Sequence, residues 1–416
     1  MFRTKTEEPQ GSIWLPTADI VTTPANAFYQ KLDRALEAFS FGNRARALCA
    51  PFYCTDVSKG GYPGIDPAVY FKMMIVGFFE NIPSERGIAA RCADSLSIRQ
   101  FLHYELTEPT PHHSSFTVIR KRLPVGVYYE IFSLALAALK KHKLLKGKNI
   151  GIDTSTIEAN AALRNLEHRL TGESYEQYIT NLAADAGVDP EDAAAVHRFD
   201  RKRKGRKTSN KDWKNPHDPD ARIGRTKRGS MRMIFKPQHI TDLDTGAILD
   251  VDVRPGDEYD PENLASKILG VENRINAAIG NEPDTVVIES VTGDKGYYNL
   301  EQLRALQSHG IRTIISDPLE KIRRLHMLSP DDLAVVRAAK RSTKSKYGKD
   351  LLKKRGMHLE RSFEHVLDEG GGRRTTLRGR ENTLKRYCLQ ALGFNLSLLM
   401  RTIFGIGTPK QALAFG

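Results

Sequence analysis

The fold is decided by two stretches, NIGID at residues 149–153 and TVVIESVTGD at residues 285–294. Each contains a short apolar run typical of a buried strand, and each ends in an aspartate, Asp153 or Asp294. A strand end holds a side chain rigidly, and open sheets usually bind ligands at one edge. The two stretches therefore predict two carboxylates at the same edge of one sheet. Each aspartate alone would also make a good turn or helix-cap residue, so the repetition carries the prediction.

Around these strands the sequence alternates between strand and helix patterns. MIFKPQHITDLDTGAILDVDVRP at 233–255 predicts a hairpin that turns at Asp244-Thr245-Gly246, and IRTIIS at 311–316 predicts another strand. Helices are predicted at 261–279, at 299–308 and in the long stretch KDLLKKRGMHLERSFEHVL at 349–367. This order predicts an α/β fold with a mixed sheet flanked by helices.

The first 145 residues have helical periodicity instead. Four helices are predicted, at AFYQKLDRALEAF, DPAVYFKMMIVGFFE, SERGIAARCADS and HSSFTVIRKRL. The second has the clearest start, because the Asp66 carboxylate can accept from the first free N–H groups and Pro67 follows where a missing N–H costs nothing. An all-α N-terminal domain is expected over 1–145, a catalytic domain over 146–405 and a tail over 406–416.

An insertion of about 160–230 separates the first strand from the hairpin. It begins as a polar helix and ends in RKRKGRKTSNKDWKNPHDPDARIGRTKRGS. Such a segment buries too little apolar area to offset its chain entropy, so it is expected to be loose unless DNA orders it.

Composition narrows the function. The 416 residues include 63 Lys and Arg against 50 Asp and Glu, a formal net charge of +13 that favours a polyanionic partner such as nucleic acid. The four cysteines form no Cys-x-x-Cys pair, which argues against a zinc site and a disulfide framework. No apolar run approaches the length of a membrane span, so a cytoplasmic protein is expected.

A third carboxylate is expected in the helical stretch at 349–367, where Glu360 borders an apolar stripe and shares a face with Lys353. Glu364 and Glu381 are rivals for this role, and a surface ion pair is the plain alternative. Three acids suit phosphodiester chemistry, which two metal ions about 3.5–4 Å apart can assist. Oxygen ligands and phosphate oxygens favour Mg²⁺, with Mn²⁺ able to substitute.

The motifs GIDTST, VTGDKGYYN and LERSF together resemble the Asp-Asp-Glu (DDE) pattern of bacterial insertion-sequence transposases, whose catalytic core is RNase H-like. Other stretches are similar to the same family: YPGIDPAVYFKMMIVGFFENIPSERGIAARC, DPDARIGRTKRG, RRTTLRGRENTLKRY and ALGFNLSLLMR. The resemblance implies that Asp153, Asp294 and Glu360 are catalytic and bind two metal ions. Arg355 can serve as the family's arginine, whereas Leu352 and Leu367 stand where the family often has tyrosine and lysine.

The implied function is cleavage and strand transfer at the ends of an insertion sequence. The implied partners are double-stranded DNA, as terminal inverted repeats and target, and a second copy of the chain when assembled on DNA, in the bacterial cytoplasm at the nucleoid. Two alternatives stay open: a catalytically inactive DNA-binding regulator derived from a transposase, and a stand-alone RNase H-like nuclease. A simple nuclease would need neither the front domain nor the basic insertion.

Cations expected to contact DNA fall in three regions. A helix within about 111–123 is expected to read DNA, the insertion to track phosphates, and the motifs around the second aspartate and the glutamate to supply further contacts. The residues are Arg120, Lys121, Arg122, Lys202, Arg203, Lys204, Arg206, Lys207, Lys295, Lys353, Arg355 and Arg361.

Overall fold

The computed structural model describes residues 24–53, 64–204, 208–226, 229–280, 285–322 and 325–414. Its first part is helical, as predicted. The helices are α1 (Pro24–Ala38), α2 (Phe41–Cys49), α3 (Pro67–Phe79), α4 (Glu85–Asp94), α5 (Leu96–Phe101), α6 (His113–Arg122) and α7 (Val125–Lys141). The predicted start of α3 is confirmed: the Asp66 carboxylate accepts from the backbone N–H of Ala68, and Pro67 follows in the first turn.

The remaining chain alternates between strands and helices. The strands are β1 (Asn149–Thr154), β2 (Ile157–Glu158), β3 (Glu167–His168), β4 (Trp213–Lys214), β5 (Arg222–Arg225), β6 (Met231–Asp242), β7 (Ile248–Pro255), β8 (Ser290–Thr292) and β9 (Arg312–Ile314). The helices are α8 (Tyr175–Asp185), α9 (Ala193–Lys202), α10 (Leu264–Ile279), α11 (Leu300–Ser308), α12 (Pro330–Lys344), α13 (Lys346–Phe363), α14 (Arg380–Phe404) and α15 (Pro409–Ala414).

The main sheet is mixed and has the spatial order β7-β6-β1-β8-β9, with β2 and β5 adding short pairings to β6. β1 runs antiparallel to β6 and parallel to β8, and β9 runs parallel to β8. The predicted fold class is confirmed, including the hairpin β6–β7. The apolar stretch before Asp294 forms less strand than predicted, because only Ser290–Thr292 pairs as β8.

The long helix α14 joins the two parts of the molecule, packing against α7 and α3 on one hand and β7 on the other. Buried apolar residues of the front helices and of the sheet accordingly form one continuous cluster. With the segment up to Ala414, α14 is also long and apolar enough to cross a membrane. Its side chains are buried along most of its length, however, which is typical of a core helix.

The insertion is more ordered than its composition predicts, and the expectation of a loose segment is corrected here. It contains α8, α9 and the two-stranded sheet β3–β4. Trp213, only 5% exposed, lies against the rings of His168, Tyr175 and Tyr178. These aromatic contacts provide the apolar burial that a count of charges along the sequence overlooks.

Candidate active site

Asp153 and Asp294 lie at the carboxyl ends of two neighbouring parallel strands. The register of β1 and β8 pairs Gly151 with Thr292, and two residues further on come Asp153, still within β1, and Asp294, just after the end of β8. The two residues therefore lie side by side at the carboxyl edge of the sheet, as the sequence predicts.

Local backbone contacts fix both carboxylates. Asp294 begins a 3-10 turn, and its Oδ1 accepts from the N–H of Gly296 at 2.8 Å. Asp153 Oδ1 accepts from the N–H of Thr154 at 2.9 Å. A Cβ at position 293 would stand 3.2–3.4 Å from Tyr297, Ile315 and Ile152, so a glycine lets this turn pack closely. Asp294 can cap this turn and bind a metal ion at the same time, because the cap uses Oδ1 and not Oδ2.

The helix α13 lies directly on β1 and brings a cation to Asp153. Arg355 Nη2 lies 2.9 Å from Asp153 Oδ2, and Arg355 Nε lies 3.4 Å from the carbonyl oxygen of Ile152. Both side chains are largely buried, at 16% and 25% exposed. The close approach depends on Gly151, where a Cβ would stand 2.6 Å from Leu243 and 3.3 Å from Arg355 Cγ.

Glu360 lies on the same helix, but its side chain is exposed. It follows Arg355 by five residues, which on an α-helix is a rotation of about 140° away from the arginine that faces Asp153. The rivals are no closer to such a role: Glu364 is exposed in the turn after α13, and Glu381 pairs with Lys385 at 2.7 Å. The structure therefore places the two aspartates at one edge of the sheet, and Glu360 on a different side of α13 from Arg355.

Within the described ranges, a single group of three acidic or histidine side chains has its ligand atoms all within 4.8 Å of one another: Asp33, Glu37 and His103. Asp33 already lies 2.6 Å from Lys72 Nζ and 3.0 Å from His103 Nε2. This group reads as an ion-pair cluster of the front helices. The two aspartates of the sheet edge fit the oxygen chemistry of a divalent ion, with a guanidinium beside one of them.

A buried histidine that the sequence analysis missed lies opposite Asp153. His239 on β6 is the register partner of Asp153, and its ring nitrogens lie 2.8 Å from Ser362 Oγ and 2.6 Å from the Tyr387 hydroxyl. Its ring stacks on Phe363 at 4.1 Å. Complete burial lowers the pKa of His239 to about 3, so it is neutral and acts as a hydrogen-bonding tie between β6, α13 and α14. The sequence does carry a signal for this residue, because a histidine is unusual within an apolar strand pattern.

A second missed group begins one residue earlier on β6, where the alternation of side chains puts Gln238 on the opposite face of the sheet from His239. Gln238 Nε2 donates to the Tyr297 hydroxyl at 3.0 Å, and burial raises the Tyr297 pKa, with the charge of Asp260 adding to the effect. An Asp260 oxygen and Asp294 Oδ1 both lie within 4 Å of where a Cβ on Gly296 would stand. Asp260 is itself held by Lys236, at 3.4 Å. It adds negative charge to the aspartate edge.

The cations predicted on α6 divide between its two faces. Arg120 is only 7% exposed and its guanidinium pairs with Glu85, so the expectation that it reads DNA is corrected: it is a core ion pair. Lys121 and Arg122 are exposed, and Arg122 lies over the Tyr53 ring at 4.6 Å.

The cations predicted in the insertion also differ from one another. Lys202 and Lys204 are exposed, whereas Arg203 lies 2.7 Å from Asp200 with both side chains mostly buried, which corrects its expected role in contacting phosphate. Arg206 and Lys207 lie outside the described residues. Around the candidate site, the side chains of Lys295, Lys353 and Arg361 are exposed.

Two family models match the chain. The Transposase domain (DUF772) matches residues 19–122, and the Transposase DDE domain matches residues 202–396. No curated protein and no solved structure matches it. The chain belongs to the DDE transposases of the insertion-sequence type, with an RNase H-like core.

The two family matches cover only part of the candidate site. Asp294 and Glu360 lie within the DDE match, whereas Asp153 lies in the stretch 123–201 that neither model covers. Membership indicates an enzyme of the transposase or nuclease type that acts on DNA, in a family that generally uses divalent metal ions.

Proposed function

We propose that this protein cleaves DNA at the ends of an insertion sequence and joins those ends to target DNA, with Asp153, Asp294 and Glu360 as its catalytic carboxylates. The observation that carries the proposal is the position of the two aspartates, at the ends of neighbouring parallel strands of one sheet. The family matches support a transposase in general, and the specific reaction is the proposal.

The three carboxylates would hold two Mg²⁺ ions, or Mn²⁺ in their place. Bound there, the ions would lower the pKa of the attacking water or 3′-hydroxyl and stabilise the leaving oxygen. Asp153 would be a ligand near the end of β1, Asp294 would be one just after β8, and Glu360 would be one from α13.

Arg355 and Glu360 both affect how the three carboxylates could bind metal ions. Arg355 neutralises Asp153, so the guanidinium competes with any cation for this carboxylate. Glu360 is exposed and lies about 140° round α13 from Arg355, so we propose that it joins the aspartates through a change in α13 or in its side chain. Both features suit an enzyme whose site is completed when DNA binds.

The DNA partner is supported by the charge of +13 and by the exposed cations Lys121, Lys202, Lys204 and Lys295. We propose that these residues contact phosphates of the terminal inverted repeats and the target. Since two DNA ends must be cut and joined together, the working form is proposed to be a homodimer on DNA, in the bacterial cytoplasm.

A second function is favoured by the position of Glu360, whose exposed side chain lies about 140° round α13 from the arginine that contacts Asp153. A transposase copy that binds the ends without cutting them would serve as a regulator of transposition. Such a protein would keep the DNA contacts and have no need of the acidic trio.

Purified protein and a labelled duplex that contains one element end test both functions. We expect cleavage in Mg²⁺ or Mn²⁺, abolished by Asp153→Asn and by Asp294→Asn with DNA binding retained. Asp244→Asn is the matched control, because this carboxylate lies at the hairpin turn and pairs with Lys354. Binding without any cleavage by the wild-type protein would establish the regulator, and cleavage by Asp153→Asn would refute the mechanism.

The third carboxylate needs its own comparison. Glu360→Gln, Glu364→Gln and Glu381→Gln are made separately and assayed on the same duplex. Loss of cleavage in Glu360→Gln alone is expected. Loss in one of the other two instead would assign the role to that residue.

A further inference from the structure

A cavity of about 260 Å³ lies where the front helices meet the catalytic region. Its walls come from the end of α3, the end of α13 and the turn after it, α14, and the segment leading into α15. Arg361 precedes this turn and follows Arg355 by six residues, about 240° round the helix, so the cavity opens on a different side of α13 from Asp153.

The charge of this cavity is mainly positive. Arg361, Arg401 and Lys410 line it, and the single acid among its lining residues, Glu369, is hydrogen-bonded to His365. None of the described carboxylates forms an ion pair with any of the three cations. Burial, and then the neighbouring charge of Arg361, lower the pKa of Arg401. Two guanidinium groups that repel each other at a cavity wall are typical of a site for an anion.

The rest of the lining combines aromatic rings with polar side chains. Phe78, Phe79 and Phe394 supply the rings, and the polar side chains are those of Asn81, His365, Ser397, Thr408 and Gln411. Gly393 and Gly407 let the walls approach: a Cβ at 393 would stand 2.4 Å from the Phe78 ring, and one at 407 would stand 3.2 Å from Arg401 Nε. The cations are therefore presented by a well-packed wall and not by a loose loop.

We propose that this cavity binds a phosphate group, and that its source is the backbone of the DNA on which the protein acts. Guanidinium groups match the geometry of phosphate oxygens, and the hydroxyl and amide side chains of the lining can donate further hydrogen bonds to them. The inference rests on the proposed function only in taking DNA as the substrate. It adds a contact on a different side of α13 from Asp153, between the front helices and the catalytic region.

The test measures binding alone. Duplex DNA is titrated by fluorescence anisotropy in EDTA over a range of KCl concentrations, with the wild type and with Arg401→Gln/Lys410→Gln. The loss of one phosphate contact should reduce the slope of log affinity against log salt by about 0.9. Affinity at low salt should fall about tenfold, as expected for one charged hydrogen bond.

Lys140→Gln/Lys141→Gln is the control, since it removes two positive charges from the end of α7, outside the cavity. An equal fall in slope in this control would overturn the proposal. Arg401→Lys/Lys410→Arg keeps the charge and should keep the slope. A retained melting temperature for each variant separates loss of binding from loss of folding.

A second arm distinguishes the source of the phosphate. ATP and inorganic phosphate are tested for a rise in the melting temperature of the wild type that Arg401→Gln/Lys410→Gln lacks. Such a rise with an unchanged DNA slope would assign the cavity to a free nucleotide or phosphate. No effect in either arm overturns the proposal. The binding assay needs no catalysis, so this result is independent of whether Asp153 cuts DNA.

Discussion

Replacing Arg355 by glutamine should tighten the binding of Mn²⁺ to the protein in the absence of DNA. In the wild type a metal ion at Asp153 must displace the guanidinium, whose Nη2 lies 2.9 Å from Asp153 Oδ2. The two side chains are 16% and 25% exposed, so solvent screens the pair only in part. Glutamine keeps hydrogen-bonding capacity and most of the size but removes the competing charge.

The expected gain in Mn²⁺ affinity follows from the strength of the contact between Arg355 and Asp153. A hydrogen bond to a charged group contributes about 1.5–3 kcal/mol, which corresponds to a gain of about 10- to 100-fold in metal affinity. Part of this gain is lost because a flexible side chain replaces a fixed one, so about tenfold is expected. Isothermal titration with Mn²⁺ at low ionic strength, without DNA, measures it directly.

A matched control lies one residue away. Lys354→Gln removes a cation from the same helix, but Lys354 pairs with Asp244 at 2.9 Å and not with the aspartate edge. Its Mn²⁺ affinity should equal that of the wild type. Unchanged or weaker binding by Arg355→Gln would refute the idea that the guanidinium competes for the metal ligand.

Three further outcomes are expected. Because the pKa of His239 is about 3 when folded and near 6.5 when unfolded, the unfolded chain takes up the proton, and stability falls as pH is lowered from 6.5 towards 3. Urea unfolding should show a loss of about 2 kcal/mol between pH 7 and pH 5 that is absent from His239→Gln. Gly393→Ala places a methyl group 2.4 Å from an aromatic ring of α3 and should lower the free energy of unfolding by about 1–3 kcal/mol. At Gly356 a Cβ meets nothing within 4 Å, so Gly356→Ala should raise the free energy of unfolding by about 0.5–1 kcal/mol. Thermal melts measure both changes. Changing Lys202 and Lys204 to glutamine should weaken binding to all duplexes alike and lower the salt slope by up to about 2, and an unchanged slope would make the insertion a solvated surface.

The strand pattern ending in Asp153 and Asp294 was sufficient to predict the sheet edge and the candidate ligands on it. The alternation of apolar strands with amphipathic helices is visible in the sequence, because each element must bury one face and so carries apolar residues at its own period. The same holds for the start of α3 at Asp66, where the capping chemistry is local. Such features depend on residues close in sequence, so they are readable without the fold.

Local sequence patterns did not predict which cations of α6 are buried, nor that the insertion forms ordered structure. Arg120 begins a basic run, yet it is buried against Glu85, 35 residues earlier in the chain. Trp213 orders the insertion through rings contributed by α8 and β3. In both cases the partner is distant in sequence, and the same residue type would be exposed if that partner were absent.

The class of the protein, the order of its strands and helices, and two aspartates at one edge of the sheet were all predictable from local sequence patterns. The packing of the elements sets the rest: Arg355 pairs with Asp153, His239 ties β6 to α13 and α14, and Glu360 is exposed on a side of α13 away from Arg355. The physical reason is that charge pairing and burial act through space. A local pattern fixes which side chains an element carries, whereas the packing of one element on another fixes which of them meet.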